Sequence, residues 1–263
     1  MHTAATDSGG LANVHWLADV SPAKLYATAE TLFASGEVSN CTQVFVAGDD
    51  DRYVAESFTP EGGRIQFCGL GALAAAWVVF DQHAADATVL EFANAEQSWQ
   101  ARQSSADSSA NDSDITLIYK RPLPADCAVP AFAAPVLGVQ PLTAAEVGGP
   151  SGYWLLELAD TSALQALQPD FSALTAATER ALIVTARALQ ADGPGCVFRY
   201  FAPQYGTPED AATGSAAVQL AAFWSPRLAR ARFTAVQLSP QGARLQLGCG
   251  AKSVDLTARV EYC

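Results

Sequence analysis

Two short stretches of this chain combine glycine with side chains able to move protons. The first is Cys68-Gly69-Leu70-Gly71, which leads into the apolar, alanine-rich run 70–80. The second is Glu209-Asp210 followed by Thr213-Gly214-Ser215, ahead of another alanine-rich run that ends at Trp224. A turn that opens a helix leaves the first N–H groups without intrahelical partners and concentrates partial positive charge there. Such a turn binds an anion without Arg or Lys, and glycine lets the ligand approach the backbone closely. Two of them, one per domain and facing across a cleft, predict a cradle for a small carboxylate.

At the first turn the helix terminus favours the thiolate of Cys68, which makes it a candidate base or nucleophile. The plainer alternative is a cysteine acting as a small buried hydrophobe. No histidine lies within a few residues of Cys68, so the sequence does not signal a Cys–His hydrolase, and pairing in space with His15 or His83 stays open. At the second turn Asp210 is a candidate acid/base or hydrogen-bond partner, while Glu209 and Asp210 equally suit a helix start through their charge. Thr213 and Ser215 serve either as caps or as hydroxyls offered to a ligand.

Elements must hold these turns in place. Pro22–Ser35 has the apolar spacing of an amphipathic helix, with Ser21 as N-cap and Pro22 at the first position. Residues 43–47 and Arg52–Phe58 read as strands around a turn at 48–51, and residues 70–81 as a buried helix. Residues 115–119, Tyr153–Leu158, 181–186, Cys196–Phe201 and 244–247 read as further strands, and 161–167 as a helix. Residues 102–113 are almost wholly small and polar, which predicts an exposed loop. Residues 122–135 carry four prolines and predict an extended connector. The expected division is an N-terminal domain of residues 1–120, a connector of 121–136 and a C-terminal domain of 137–263, with the last strand able to return to the first domain. An internal echo supports two alike halves: Phe58-Thr59-Pro60 and the 67–71 turn in one, Phe201-Ala202-Pro203 and the 212–216 turn in the other. Helices alternate with short, mainly antiparallel strands, so the expected fold class is α+β.

Composition narrows the function classes. Half of the 263 residues are hydrophobic and mean hydropathy is +0.12, which excludes a largely disordered chain or a disulfide miniprotein. Acidic residues outnumber basic ones 27 to 15, for a net charge of −12, and the few Lys and Arg do not cluster. Nucleic acid and anionic membrane are therefore not expected partners. No apolar run approaches the roughly 20 residues of a spanning helix, and the first residues show no secretory signal pattern. The six cysteines are spread without a CxxC pair, which reads as free thiols in a reducing cytoplasm. Three isolated histidines supply no metal-ligand spacing, so neither metal nor cofactor is expected.

Arg199-Tyr-Phe-Ala-Pro203 followed by Thr207-Pro-Glu-Asp-Ala-Ala-Thr-Gly-Ser-Ala-Ala217 resembles the signature R-x-F-A-P…P-E-D-P-A-T-G-S-A-A of the PhzF-like isomerases, relatives of diaminopimelate epimerase and proline racemase. Phe58-Thr-Pro-Glu-Gly62 through Gly69 is similar to that family's F-T-P-E…F-A-G turn. The resemblance implies two pseudo-symmetric domains, each a mainly antiparallel sheet or small barrel around a central helix. It also implies an active site between the two helix N-termini, chemistry without a cofactor, and in many members a homodimer. Asp210, Gly214 and Ser215 match the family's substrate-binding Asp, Gly and Ser, and Gly69 matches the glycine of the first turn. Thr42 stands where the family has its Glu base, and Leu70 where it has a histidine. Cys68-Gly-Leu-Gly71 looks closer to the epimerase and racemase turn C-G-N-G, whose cysteine is an acid/base, with Thr213 in place of their second cysteine. A single competent base favours isomerisation or dehydration over racemisation, which needs a donor on the opposite face of the carbon.

The expected activity is movement of a proton at a carbon next to the carboxylate of a small acid. Cys68 and Asp210 are the catalytic candidates; Thr42, Gly69, Leu70, Gly71, Thr213, Gly214 and Ser215 are the candidate substrate-binding residues. The rival is a non-catalytic descendant that keeps the paired turns and binds a small carboxylate.

Overall fold

The computed structural model describes residues 2–6, 10–17, 21–36, 41–49, 52–103, 112–188, 193–240 and 242–262. The chain divides into two compact units, one of Met1–Lys120 with Asp255–Cys263 and one of Arg121–Val254.

In chain order the first unit carries β1 (His2–Thr6), β2 (Leu11–Leu17), α1 (Pro22–Ser35), β3 (Thr42–Asp49), β4 (Arg52–Phe58), β5 (Arg64–Ile65), α2 (Gly69–Gln82), β6 (Val89–Ala93), β7 (Ser98–Gln103) and β8 (Asp112–Lys120). The second carries β9 (Ala125–Cys127), α3 (Ala133–Leu137), β10 (Thr143–Val147), β11 (Tyr153–Leu158), α4 (Thr161–Gln165), α5 (Phe171–Ala177), β12 (Ala181–Arg187), β13 (Cys196–Phe201), α6 (Gly214–Leu228), β14 (Arg232–Gln237) and β15 (Ala243–Cys249). The last strand, β16 (Ser253–Tyr262), begins in the second unit and gives its residues from Asp255 onward to the first.

Strands of the first unit follow the order β1-β2-β3-β4-β6-β7-β8-β16, and β16 pairs back with β1, so the sheet closes into a barrel. The β2–β3 and β4–β6 pairs are parallel. A parallel pair needs a crossover, and α1 and α2 supply the two. In the second unit the order is β9-β10-β11-β12-β13-β14-β15. There β11–β12 and β13–β14 are parallel, bridged by α4 with α5 and by α6. Each unit therefore runs through the same succession of parallel, antiparallel, parallel and antiparallel pairings, from β2 to β7 in one and from β11 to β15 in the other. The internal echo in the sequence is this shared topology.

The two alanine-rich helices are the centres of these units. Every residue from Gly71 to Phe80 is buried, with Ala74, Ala75 and Ala76 fully so. A helix enclosed on every side shows no polar face, which is why this run is continuously apolar. Three successive methyl side chains keep it slim where strands approach from all round. In α6, residues 215–224 are buried without a break. Outside the barrel, α1 lays Leu25 and Ala29 against Phe45 and Phe58, so β3 is covered on both faces and reads as a near-continuous apolar run.

The fold is α+β, as the alternation of elements predicts. Differences lie at element ends, in the proline-rich stretch, and in β1, β2, β6, β7, β10, α5, β14 and β16, which the sequence reading did not mark as elements. Helix α4 stops at Gln165, and α6 runs on past Trp224 to Leu228 with Pro226 in its last turn. The expected connector 122–135 carries β9 and the start of α3, in which Pro135 sits in the first turn, where no intrahelical N–H bond is lost. Residues 104–111 of the expected polar loop, and Asp50 and Asp51 of the expected turn, lie outside the described residues.

Candidate active site

In the first unit, β4 ends at Phe58 and the chain turns through Thr59 and Gly63, with Gly62 at φ +87° where glycine is favoured. It reaches Cys68, the N-cap of α2, in an extended conformation. The Cys68 Sγ accepts the Gly71 N–H at 3.2 Å, and the Cys68 carbonyl accepts the Ala72 N–H at 3.0 Å. Helix geometry leaves the Gly69 and Leu70 N–H groups as the remaining donors of this turn. Cys68 is half-buried beside them.

Gly71 is wedged against the barrel wall. A Cβ there would lie 2.2 Å from the Ser57 Oγ and 3.2 Å from the Val44 Cγ2. Thr42 shares the face of β3 with Val44, two residues nearer the strand's start, and so belongs to the barrel face on which α2 packs. Leu70 leans on Gly10, just ahead of β2, where a Cβ would meet its Cδ1 at 3.0 Å.

In the second unit, β13 ends at Phe201 and a loop leads to Thr213, the N-cap of α6. Four sets of contacts pin this loop. Arg199 donates from Nε and Nη2 to both Glu209 carboxylate oxygens at 2.7 Å, while its Nη1 reaches the Leu164 and Leu167 carbonyls. The Asp210 N–H donates to the Tyr200 carbonyl at 3.2 Å. The Ser239 hydroxyl donates to the Ala211 carbonyl at 2.6 Å. Gln237, buried at the end of β14, accepts the Thr213 N–H at 2.7 Å and donates to the Asp210 carbonyl.

Asp210 Oδ2 accepts the Thr213 hydroxyl at 2.6 Å, so this threonine makes no side-chain cap to its own helix. Ser215 is buried at the start of α6. Burial raises the pKa of Tyr153 and of Tyr200, and for Tyr200 the charges of Tyr153 and Asp210 add to it. Both phenols are therefore held neutral.

Cys68, Gly69, Leu70 and Gly71 stand together at one helix start, and Asp210, Thr213, Gly214 and Ser215 at the other. Neither open histidine pairing with Cys68 is formed. His83 is the C-cap of α2, a helix length away, with its ring stacked on Trp16 at 3.7 Å. His15 bonds Gln43 at 2.9 Å and stacks on Phe45, on the opposite face of β2 from Val14. Glu209 is the structural member of its acidic pair, held by Arg199. Sequence reasoning missed Gln237, at the end of β14, and Ser239, in the loop after it, which lie distant in sequence from the turn they hold and carry no local turn signal. Among the described residues, no group of three or more His, Cys, Asp or Glu side chains could hold a metal ion, and no helix is long and apolar enough to cross a membrane.

Known proteins resemble this chain in sequence and in fold. The family model for phenazine biosynthesis-like proteins, PhzC-PhzF, matches residues 23–255. An uncharacterized isomerase of Pseudomonas aeruginosa is 33% identical over 243 residues, which is 92% of this chain and 88% of that protein. A PhzF-family phenazine biosynthesis protein of Enterococcus faecalis has a crystal structure that superimposes with a TM-score of 0.79 at 24% identity, covering 99% of this chain and 95% of that one. A hydroxyproline epimerase of Agrobacterium vitis, crystallised with trans-4-hydroxy-L-proline bound, shares the fold with a TM-score of 0.59 at 11% identity, covering 100% of this chain and 90% of that one.

Proposed function

The chain belongs to the phenazine biosynthesis-like PhzC-PhzF family, and from that premise we propose that it is a cofactor-independent isomerase or epimerase of a small carboxylic acid. Cys68 removes a proton from the carbon next to the carboxylate, and the electron pair passes into an enolate-like intermediate. Cys68 returns that proton to the intermediate, on the same carbon or on a conjugated one, and in the second unit Asp210 is the candidate second acid/base or hydrogen-bond partner. In the first unit the N–H groups of Gly69 and Leu70 are the candidate holders of the carboxylate and its developing charge, and in the second unit those at Gly214 and Ser215 are. Fixed donors of this kind commonly contribute about 3 kcal/mol to such a step. The observation that carries the reading is the half-buried Cys68, set at a helix N-cap directly beside the first-turn N–H groups of Gly69 and Leu70. Relatives named as isomerases support it, as does the fold shared with an epimerase that binds a cyclic amino acid. Free described thiols support a reducing, cytoplasmic setting, and a homodimer belongs to the same proposal.

A second reading has one observation in its favour. Leu70 packs on Gly10 and offers no proton at its position. That fits a descendant that binds a small carboxylate without turning it over.

Deuterium wash-in separates the two. The protein is incubated in D₂O with a panel of amino acids, trans-4-hydroxy-L-proline and cyclic enamine acids, and exchange at carbon is followed by NMR. Exchange with a panel member, lost in Cys68→Ala, is the expected result. Absence of exchange with every member, while a carboxylate still raises the melting temperature, assigns the binding reading instead.

A further inference from the structure

The chemistry above leaves unused a buried hydroxyl near the first turn. Tyr119, close to the end of β8, is 3% exposed, and its hydroxyl has no hydrogen-bond partner among the described residues. Trp99, its direct cross-strand neighbour on β7, is 6% exposed, and its indole N–H is likewise unpartnered among them. Buried donors are nearly always satisfied in folded proteins, so an unsatisfied pair at one place calls for an explanation.

Position supplies one. Tyr53, Phe92, Trp99 and Tyr119 are successive cross-strand partners on β4, β6, β7 and β8, and their rings form a row around α2. Neighbouring rings in the row lie 5.3, 5.7 and 6.1 Å apart. The far end packs on Phe67, whose ring is 4.9 Å from that of Tyr119 and which directly precedes Cys68. Held on both sides by rings, the phenol keeps its orientation. Burial pushes its pKa well above the usual range and the Cys68 charge adds to this, so the hydroxyl stays a donor. The Gly69 and Leu70 N–H groups are donors too. Donors gathered at one turn suit an acceptor-only group, which is to say an anion such as a carboxylate.

We propose that the Tyr119 hydroxyl is a further substrate-binding group, donating to a carboxylate oxygen of the small acid held by the N–H groups of Gly69 and Leu70. The inference rests on the reading of the Cys68 turn as a carboxylate site.

Iodoacetate tests it, being itself a small carboxylate that reports on Cys68. It reacts as iodoacetamide does: the thiolate displaces iodide, forming an S–C bond as the C–I bond breaks. The two reagents differ in carrying a carboxylate or a neutral amide. Alkylation at Cys68 and at the exposed Cys127 is followed by peptide mass spectrometry in the native protein and in Tyr119→Phe, which keeps the ring and removes only the hydroxyl.

Relative to Cys127, Cys68 is expected to prefer iodoacetate. Tyr119→Phe is expected to lower that preference about tenfold while the iodoacetamide rate at Cys68 stays the same. Acetate is expected to protect Cys68 from iodoacetamide in the native protein and to protect it more weakly in the variant. An unchanged preference in Tyr119→Phe, with unchanged acetate protection, overturns the role of Tyr119 alone. No preference for iodoacetate in the native protein overturns the carboxylate reading of the turn and this inference with it. A lowered preference in a protein that exchanges no proton at carbon upholds Tyr119 and counts against the isomerase.

Discussion

The Thr213 hydroxyl donates to Asp210 at 2.6 Å instead of capping α6, and Gln237 takes over the cap. Its side-chain oxygen accepts the Thr213 N–H at 2.7 Å, and its nitrogen donates to the Asp210 carbonyl at 2.5 Å and to the Thr213 Oγ1 at 3.2 Å. One fully buried side chain thus fixes the spacing of both residues. Gln237→Leu keeps the approximate volume and strands two backbone groups. Each costs roughly 1–3 kcal/mol, so a loss of about 2–5 kcal/mol is expected in denaturant unfolding. Thr213→Val breaks less and is expected to cost about 1 kcal/mol. Equal stability of Gln237→Leu and the native protein would show that the loop holds its shape without this residue.

Cys68 has two jobs that substitution can separate. Its Sγ accepts the Gly71 N–H at 3.2 Å as a helix cap, and its thiol is the proposed base. Serine is a strong N-cap and a poor base at neutral pH, so Cys68→Ser is expected to keep stability within about 0.5 kcal/mol. Cys68→Ala removes the cap as well and is expected to cost about 1 kcal/mol. Both are expected to lose exchange at carbon. Thermal melts beside NMR exchange on the two variants check this; exchange surviving in Cys68→Ser would remove the thiol from the chemistry.

The same contrast explains what was legible in the sequence. Pro22–Ser35 and its Ser21 cap could be read in full because a proline and a cap mark the start and Gly36, at φ +70°, marks the end. The two turns could be read because glycine, thiol and carboxylate lie adjacent in the chain. The barrel came only through the family resemblance, since its closure joins β1 to β16 from opposite ends of the chain, through a register that no local pattern records. Gln237 and Tyr119 were hidden for the same reason. Each looks like an ordinary strand residue until the sheet brings it to a helix start. Leu70 shows the reverse case, where sequence alone exposed the departure from the family pattern and the structure shows its side chain packed on Gly10.

His15 predicts how stability responds to pH. Burial lowers its pKa below the usual 6.5, and its hydrogen bond to Gln43 opposes this only in part. Gln43 turns its amide N–H towards the Cys41 carbonyl, which leaves its Oε1 to accept from His15 Nε2–H. That fixes the neutral tautomer. His83 is lowered too, again by burial first. A folded-state pKa below the unfolded value means the unfolded chain binds the extra proton first. Stability is therefore complete above about pH 6.5 and falls as pH drops through that value towards the folded-state pKa. Denaturation midpoints measured from pH 7.5 down to 5 should decline, and less steeply in His15→Asn. An equal decline in that variant would assign the effect to other groups.

Gly71 sets packing against helix propensity. Propensity alone favours alanine over glycine inside a helix by about 1 kcal/mol. Packing says the opposite, because a Cβ would lie 2.2 Å from the Ser57 Oγ, and 3.2 Å from both the Ser57 Cβ and the Val44 Cγ2. Rotating the hydroxyl relieves the first contact only; the others belong to short side chains on paired strands of a closed barrel, which have little room to yield. Gly71→Ala is expected to destabilise by about 2 kcal/mol. Ser57→Ala in the same chain removes the Oγ and should restore part of the loss, giving a measurable coupling in a double-mutant cycle. The relief stays incomplete while the contacts at 3.2 Å persist. Exchange at carbon should fall further than stability does, since pushing the start of α2 off β4 displaces Cys68 and the Gly69 and Leu70 donors together. If Gly71→Ala instead folds as stably as the native protein and only exchange is lost, then this glycine serves the approach of the ligand and not the seating of the helix.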